Sequence, residues 1–294
     1  YLSPDFAREL PQLDQLKGLG EVVTTIKSTI ESGRSIAICC DYDLDGLSAG
    51  AQLYLFLKAI GVNVKVYVPD PLGDGYGLTT EMVDTIRAEL PNCGAMVTLD
   101  FGTKNGAEIL YARSFGIESA VIDHHVSGEE RPPTDAFINP KQTGCGYAGQ
   151  VPCSALLVHL VIMKLKQELL QAQSYDLHRD LDLVTLGTIA DLVPLTGINR
   201  AVVRDGLRTL EQSDRIGLKI LKLYAELKGE ISSTDVAFRL APRLNVGKRL
   251  GLSAEVLELL TTSDPLIAEA RCQEIDAANH ERKGIQHRDL TRAL

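Results

Sequence analysis

The chain has 294 residues, of which 45% are hydrophobic and 23% are charged, and its formal net charge is −9 at pH 7. This composition supports one large α/β domain or two smaller ones and excludes an intrinsically disordered chain. Its uncharged apolar runs are too short to cross a membrane, and no secretory signal is recognisable at the N-terminus.

Cysteine content and charge distribution narrow the class further. Six cysteines, none of them in a CxxC pair, favour a reducing, cytoplasmic setting over a disulfide scaffold. Residues 1–199 carry 14 Lys+Arg against 25 Asp+Glu, whereas residues 200–294 carry 16 against 14. Such an acidic chain is a poor non-specific binder of polyanions, but carboxylates gathered at one place can form a metal site. The first residue is Tyr1 rather than a methionine, which suggests a piece of a longer protein.

Short apolar runs alternate with helical spacing in the first half of the chain, after an amphipathic helical pattern over residues 1–35. The predicted strands are 35–40, 63–68, 95–99 and 117–122, and the predicted helices between them are 46–60, 79–90 and 104–115. From about residue 151 the apolar positions recur three and four apart, which predicts helices only. The last of these is a long polar helix over about 264–294.

Strands that alternate with helices indicate βαβ units and a parallel sheet. We therefore expect the α/β class, with a mainly parallel β-sheet and flanking helices followed by a helical layer and a long linker helix. The expected division is an N-terminal helical segment (1–34), an α/β metal-binding core (35–150), a helical part of the same catalytic domain (151–262) and the linker helix (263–294).

Acids and histidines stand where three of the predicted strands end. They are Asp41, Asp43 and Asp45 after the first strand, Asp100 after the third, and Asp123, His124 and His125 after the fourth. The carboxyl ends of parallel strands meet at one edge of a sheet, so these groups are expected to converge. Asp191 ends an apolar helix shortly before Pro194 and is a further candidate. Carboxylates with one or two imidazoles suit Mn²⁺ or Mg²⁺, and two such ions sharing a carboxylate are used for phosphoester displacement.

Simpler interpretations exist for these acids. The run Asp41 to Gly46 has the D-x-D-x-D-G pattern of an EF-hand loop. However, Gln52 stands where that loop needs its glutamate, and a strand rather than a helix precedes the run. Asp100 or Asp191 alone would be an ordinary cap or turn residue. Their joint occurrence at predicted strand and helix ends favours the metal site.

At these residues the chain resembles the DHH phosphoesterase superfamily, and within it the RecJ single-strand-specific exonucleases. The motifs that carry the resemblance are Cys40–Gly46, Gly75–Leu78, Val97–Gly102, the triplet Asp123-His124-His125, Gly187–Pro194 followed by Asn199-Arg200, and Ala241–Asn245. The triplet DHH alone is a weak motif, but several motifs in this order between Cys40 and Asn245 are specific for the family. The similarity extends from about residue 33 to the C-terminus.

The resemblance implies a role for each motif residue. One metal ion would be held by Asp45, Asp100, His124 and Asp191, and a second by Asp43 and the shared Asp100. His125 is implied to contact a phosphate oxygen, while Asp41 and Asp123 have supporting catalytic roles, Asp123 by orienting the histidines. The predicted substrate-binding residues are Arg243, Asn245 and Arg249, which lie in and beside a basic cluster suited to a nucleic-acid backbone.

The chain also departs from the family pattern. Cys39 stands where the family has a histidine ligand, and it is either a thiolate ligand or a buried small residue. Pro71 replaces a common arginine, and Asn245 is followed by Val246-Gly247-Lys248 rather than by alanines and glycine. The C-terminal DHH-associated domain and the OB-fold of the family are missing from this sequence.

The resulting hypothesis is a RecJ-like exonuclease that hydrolyses phosphodiesters of single-stranded DNA with two Mn²⁺ or Mg²⁺ ions. The resemblance implies 5′-to-3′ direction and a role in DNA repair and recombination. A single-strand-binding protein or a helicase is an expected partner, and the oligomeric state stays open. Two alternatives remain: a phosphodiesterase for short oligonucleotides or cyclic dinucleotides, and a non-catalytic RecJ-like replication scaffold.

Overall fold

The computed structural model describes residues 6–69, 77–126, 131–147 and 149–293. Five parallel strands form one sheet in the order β2-β1-β3-β4-β5. They are β1 Ser35–Cys40, β2 Val64–Tyr67, β3 Cys93–Leu99, β4 Glu118–Ile122 and β5 Ala136–Ile138. The α/β class and the four predicted strands are confirmed, whereas β5 was not predicted because three apolar residues are too short a signal.

Helices cover both faces of the sheet and continue as a helical layer. Their bounds are α1 Phe6–Glu9, α2 Leu19–Glu31, α3 Leu44–Ala59, α4 Thr80–Glu89, α5 Gly106–Arg113, α6 Ser154–Glu168, α7 Leu181–Ala190, α8 Gly197–Gln212, α9 Ile216–Tyr224, α10 Ser233–Asp235, α11 Ala241–Leu244, α12 Gly247–Leu250, α13 Ser253–Thr261 and α14 Pro265–Ala293. A π-helical turn, Val236–Leu240, joins α10 to α11. The predicted long final helix is thus confirmed as α14, while the division into domains stays a prediction.

The central strands are buried on both faces, which explains their continuous apolar runs. In β1, Ile36, Ile38 and Cys40 belong to the larger core, which includes residues of α2, α3, α6 and α7. Ala37 and Cys39 of the same strand face a smaller core shared with α4 and α5. The side chains of β1 thus alternate between the two cores. Because β1 ends at Cys40, the polar residues that follow it lie at the carboxyl edge of the sheet.

The helical layer reaches that edge through α3, α6 and α7, since α3 packs against both of the others. The start of α7 is anchored by a buried ion cluster. Arg215 donates from Nε to Asp182 Oδ2 (3.0 Å) and from Nη2 to Asp180, and Ser213 Oγ donates to Asp182 Oδ2 at 2.7 Å. The Arg215 side chain is 6% exposed. This cluster fixes the direction of α7, whose far end carries Asp191.

No helix in the described part of the chain is long and apolar enough to cross a membrane. The Gly75-Tyr76 part of one motif and Pro71 lie outside the described residues. The side chain of Arg249 also lies outside them, although its backbone belongs to α12.

Replacing Arg215 by methionine should lower the free energy of unfolding by about 3–5 kcal/mol, because it leaves two buried carboxylates without their cation. Urea denaturation monitored by circular dichroism measures the change. Arg179→Met is the matched control, since Arg179 forms an exposed pair with Asp214 and its loss should cost about 0–1 kcal/mol. Equal effects of the two substitutions would contradict the anchoring role of Arg215.

Candidate metal centre

The first acidic motif turns the chain from β1 into α3. Asp43 is the N-cap residue of α3, and its Oδ1 accepts hydrogen bonds from the backbone N–H groups of Asp45 (3.0 Å) and Gly46 (3.2 Å). A Cβ atom on Gly46 would lie 2.7 Å from the backbone nitrogen and oxygen of Asp41, so only glycine fits there. The hydrogen bonds of this turn therefore hold Asp41, Asp43 and Asp45 in fixed positions at the edge of the sheet.

Asp45 is held by the first turn of α6. Its Oδ2 accepts from the backbone N–H of Ser154 at 2.8 Å, and its Oδ1 accepts from that of Ala155 at 2.9 Å. Free N–H groups at a helix start favour negative charge, so this contact offsets part of the cost of burying the carboxylate, which is 1% exposed. Asp45 thus joins the sheet edge to the helical layer.

Asp100 follows β3 in a left-handed backbone conformation with φ of 67°. Its Oδ1 accepts a hydrogen bond from Ser154 Oγ at 2.9 Å. Aspartate tolerates this conformation better than most non-glycine residues, and in it Oδ1 of Asp100 lies 3.2 Å from Nε2 of His124. Ser154 therefore contacts both Asp45, through its N–H, and Asp100, through its hydroxyl.

Asp123 organises the DHH triplet. Its Oδ1 accepts from the backbone N–H groups of His124 (2.7 Å) and His125 (3.0 Å) and bonds His125 Nδ1 (2.9 Å). Its Oδ2 accepts from the N–H (3.2 Å) and the hydroxyl (2.6 Å) of Thr103. Burial opposes ionisation, but the bonds from His125 and Thr103 outweigh it and hold the pKa of Asp123 well below its usual range. Asp123 is thereby engaged within the loop and orients the two imidazoles.

His124 carries the observation that tests the metal hypothesis most directly. Its Nε2 is buried and has no hydrogen-bond partner among the described residues. It faces three carboxylate oxygens, from Asp100 (Oδ1, 3.2 Å), Asp191 (Oδ2, 3.6 Å) and Asp45 (Oδ2, 3.8 Å). A buried, unsatisfied imidazole nitrogen beside three acids is costly unless a cation binds between them. The residues present thus fit a hard divalent metal.

The ligand atoms within reach of one another form overlapping sets. They are Asp45 with His124 and Asp191, Asp41 with Asp43 and Asp100, and Asp100 with His124 and His125. The five expected metal ligands are therefore brought together. Asp41, for which a supporting role is predicted, also lies within reach of Asp43 and Asp100 in the second set.

Cys39 lies elsewhere. Its side chain is fully buried in the smaller core between the sheet and α4 and α5. Burial raises the pKa of the Cys39 thiol well above its usual value, so the thiol form is stabilised. Within the described residues no metal-capable set includes Cys39. This position favours the interpretation of Cys39 as a buried small residue.

Burial, and after it the repulsion between like charges, governs the ionisation of the site. Burial, together with repulsion from Asp191 and Asp43, raises the pKa of Asp45 to about 7. Burial and repulsion from Asp43 raise the pKa of Asp191 to about 6, and burial and Asp45 raise that of Asp100. Burial and the neighbouring His125 lower the pKa of His124 to about 4, which keeps its imidazole neutral and able to ligate.

Two of the predicted substrate-binding residues, Arg243 and Asn245, make contacts within the protein, while the side chain of Arg249 lies outside the described residues. Asn245 Oδ1 accepts from the backbone N–H of Leu44 at 2.9 Å and so supports the start of α3. Arg243 donates to Asp276 Oδ1 (2.9 Å) and to the carbonyl oxygens of Arg239 (2.7 Å) and Tyr224 (3.2 Å). Its side chain is 11% exposed. These contacts give Arg243 and Asn245 structural roles.

Sequence reasoning missed three residues that shape the site. They are Ser154, Thr103 and Asn139, whose Nδ2 donates to the carbonyl of His125 at 2.9 Å. None of them is a common metal ligand, and their partners are distant in sequence. The one available signal was Ser154 at the start of an apolar helix, just after Pro152.

Comparison with known proteins places the site in a family. Residues 35–188 match the DHH family, N-terminal domain. The single-stranded-DNA-specific exonuclease RecJ of Bacillus subtilis (strain 168) is 35% identical over 275 residues, which cover 92% of this chain and 33% of that protein. The chain spans a third to a half of the length of the curated RecJ relatives it matches.

Solved structures agree with this match. A crystal structure of exonuclease RecJ bound to manganese superposes with a TM-score of 0.85 at 33% identity, covering 97% of this chain and 70% of that one. RecJ from Thermus thermophilus in complex with Mn²⁺ gives a TM-score of 0.82 at 31% identity, covering 94% of this chain and 40% of that one. The Mg²⁺ complex of RecJ from the same organism gives a TM-score of 0.69 at 27% identity, covering 99% of this chain and 38% of that one.

Gly187→Ala should weaken Mn²⁺ binding about 10- to 100-fold, because the new Cβ would lie 2.7 Å from Asp45 Oδ1 and would displace that carboxylate. Isothermal titration calorimetry measures the dissociation constant. Gly20→Ala is the control, since Gly20 is also helical but has open space around its Cβ position. Unchanged Mn²⁺ affinity in Gly187→Ala would contradict Asp45 as a ligand.

Mn²⁺ affinity should rise between about pH 5 and pH 8 and level off above. With pKa values near 7 and 6, Asp45 and Asp191 are protonated at the acidic end, and an ion must displace those protons to bind. Calorimetry in buffers of different ionisation enthalpy counts the protons released. If the number of protons released on Mn²⁺ binding did not change between pH 5.5 and pH 8, Asp45 and Asp191 would not be the groups that titrate.

Proposed function

Because this chain belongs to the DHH family, on its RecJ branch, we propose that it hydrolyses phosphodiester bonds of single-stranded DNA and releases mononucleotides from one end. The observation that carries the proposal is the buried, unpartnered Nε2 of His124, which faces the carboxylates of Asp45, Asp100 and Asp191. The cofactors are two Mn²⁺ or Mg²⁺ ions.

The ligand sets define where the two ions would bind. Asp45, Asp100, His124 and Asp191 would hold one of them, and Asp41, Asp43 and the shared Asp100 the other. Bound there, the ions would lower the pKa of a water molecule and neutralise charge on the phosphoryl oxygens. The protein holds these carboxylates in place, and for Asp45 the N–H groups of Ser154 and Ala155 do so and offset part of the cost of its charge.

His125 is proposed to steady the phosphate. Its Nδ1 is engaged by Asp123, so its second ring nitrogen, Nε2, is the one available to a substrate oxygen. The hydrogen bond to Asp123 raises the pKa of His125, which favours the charged, donating form. Its side chain is 49% exposed, whereas that of His124 is 9% exposed. The two adjacent histidines are thus suited to different tasks, substrate contact and metal ligation.

The finer features of the activity are part of the same proposal. The RecJ relatives are named as single-stranded-DNA-specific exonucleases, and this chain spans only part of their length. We propose 5′-to-3′ direction, action in DNA repair and recombination, and an encounter with a single-strand-binding protein or a helicase. A non-catalytic scaffold would not need the full set of buried acids around His124, so the intact ligand sets favour an enzyme.

Asp100→Asn should reduce Mn²⁺-dependent release of mononucleotides from a single-stranded 20-mer to the level measured in EDTA, because Asp100 contributes to both ligand sets. Asparagine keeps the volume of the side chain and removes its charge. Release is measured by electrophoresis of a labelled oligonucleotide. Asp84→Asn, which alters an exposed carboxylate paired with Arg87, is the control and should retain activity.

Comparison of the 20-mer with a dinucleotide separates the proposal from the short-substrate alternative. Faster turnover of the dinucleotide, with little cleavage of the 20-mer, would favour a phosphodiesterase for short oligonucleotides. Hydrolysis that persists in Asp100→Asn at the wild-type rate would overturn the two-metal mechanism itself.

A further inference from the structure

One strained and exposed residue stands beside the metal centre. Leu192 follows Asp191 directly, has a left-handed backbone with φ of 57°, and is 84% exposed. Single exposed leucines are common, but a leucine in this conformation is not. Four non-glycine residues of the described chain have positive φ, and two of them belong to the metal centre or follow it directly: Asp100 is one of its acids and Leu192 comes next to Asp191. Strain gathered at one site marks positions that function, rather than stability, maintains.

A groove lined by arginines begins at Leu195, three residues beyond Leu192 in the chain. It has a volume of about 340 Å³ and runs between α8 and residues 230–233. Arg200, Arg204 and Arg208 line it at intervals of four residues, about 6 Å apart along the helix axis. Glu211 and Glu230 also line it, so the arginines outnumber the acids. This basic stripe stands out on a chain whose net charge is −9.

The groove and the metal centre are joined by a short, fixed turn. Leu195, which lines the groove, is only four residues beyond Asp191. The turn is held by Asn199, which is buried and donates from Nδ2 to the carbonyl oxygens of Pro194 (3.0 Å), Val151 (3.0 Å) and Gln150 (3.1 Å). α8 therefore begins six residues beyond Asp191 and packs against α7, at whose end Asp191 lies.

We propose that single-stranded nucleic acid extends from the metal centre over Leu192 into this groove, with its backbone phosphates on Arg204 and Arg208. Leu192 packs against a base beside the scissile phosphate, as apolar side chains do when they separate stacked bases. Arginines spaced along a groove track a flexible phosphate backbone without reading its sequence. The inference rests on the proposed nuclease function and adds the path of the strand to it.

Charge alone would also admit an acidic peptide in the groove. Continuity with the metal centre favours nucleic acid, because a strand whose end is cleaved there must leave along the surface that adjoins it. The peptide is therefore one outcome of the test.

The double variant Arg204→Gln/Arg208→Gln should weaken binding of a single-stranded 20-mer about tenfold and reduce the slope of log affinity against log salt by about 1.4, at about 0.7 per phosphate contact. Fluorescence anisotropy measures both in an Asp100→Asn background, where the oligonucleotide stays intact. With the active chain, KM for the 20-mer should rise while hydrolysis of a dinucleotide, too short to reach the groove, stays unchanged.

The control is Arg113→Gln/Arg179→Gln, which removes two exposed, ion-paired arginines on other surfaces. An unchanged salt slope in the groove variant would overturn the inference, even if the chain cleaves DNA. So would competition by a poly-glutamate peptide as effective as that by the oligonucleotide. A wild-type chain that cleaves neither substrate would instead count against the proposed function.

Leu192→Asn tests the first contact, since asparagine tolerates the left-handed backbone but lacks the apolar surface. KM for the 20-mer should rise several-fold, with thermal stability and Mn²⁺ affinity retained. Leu170→Asn, at a leucine that is 90% exposed, is the matched control. An unchanged KM would overturn the role of Leu192, and so would a loss of Mn²⁺ affinity, because the effect would then arise at Asp191.

Discussion

The structure depends on the burial of several negative charges at one edge of a sheet. Asp45 and Asp100 are each about 1% exposed, and Asp191 approaches the same imidazole. Burial disfavours the charged form of such a group and its carboxylates repel one another, which is why the pKa of Asp45 is raised to about 7. Within the described residues, the buried Nε2 of His124 finds no hydrogen bond to compensate. A divalent cation resolves both problems at once, and the local fold is arranged around that requirement.

The surrounding chain supports the charges in three ways. Backbone N–H groups at the start of α6 hold Asp45, which gives the carboxylate a favourable dipole without a competing counter-ion. Asp123 is satisfied instead by its own loop and by Thr103, and it orients the two histidines. The hydroxyl of Ser154 donates to Asp100, whose backbone is left-handed, and so joins the end of β3 to α6. Rigidity at the site is thus assembled from contacts made by separate elements.

The sheet, the helices and the convergence of acids could be predicted from the sequence, because buried parallel strands form continuous apolar runs and their ends are marked by Asp41, Asp100 and Asp123. The short β5 and the role of Ser154 could not, since neither produces a periodic or chemical signal. Arg243 was assigned to substrate binding from its place in a family motif and from its charge. Its bonds to Asp276 and to the carbonyl of Tyr224 depend on where α9 and α14 pack, which local pattern does not reveal.

The contact between Asp45 and the first turn of α6 has a consequence for the smallest unit that could hold an ion. The ligands on the strand ends are contributed before residue 126, but the amides that hold Asp45 come from residues 154 and 155, and the last carboxylate comes from Asp191. A truncated chain ending after β5 would keep most of the motif residues. It would lack the amides that hold Asp45 and the carboxylate of Asp191. All of these groups are therefore present only after the ribosome has synthesised the chain through Asp191, just beyond α7.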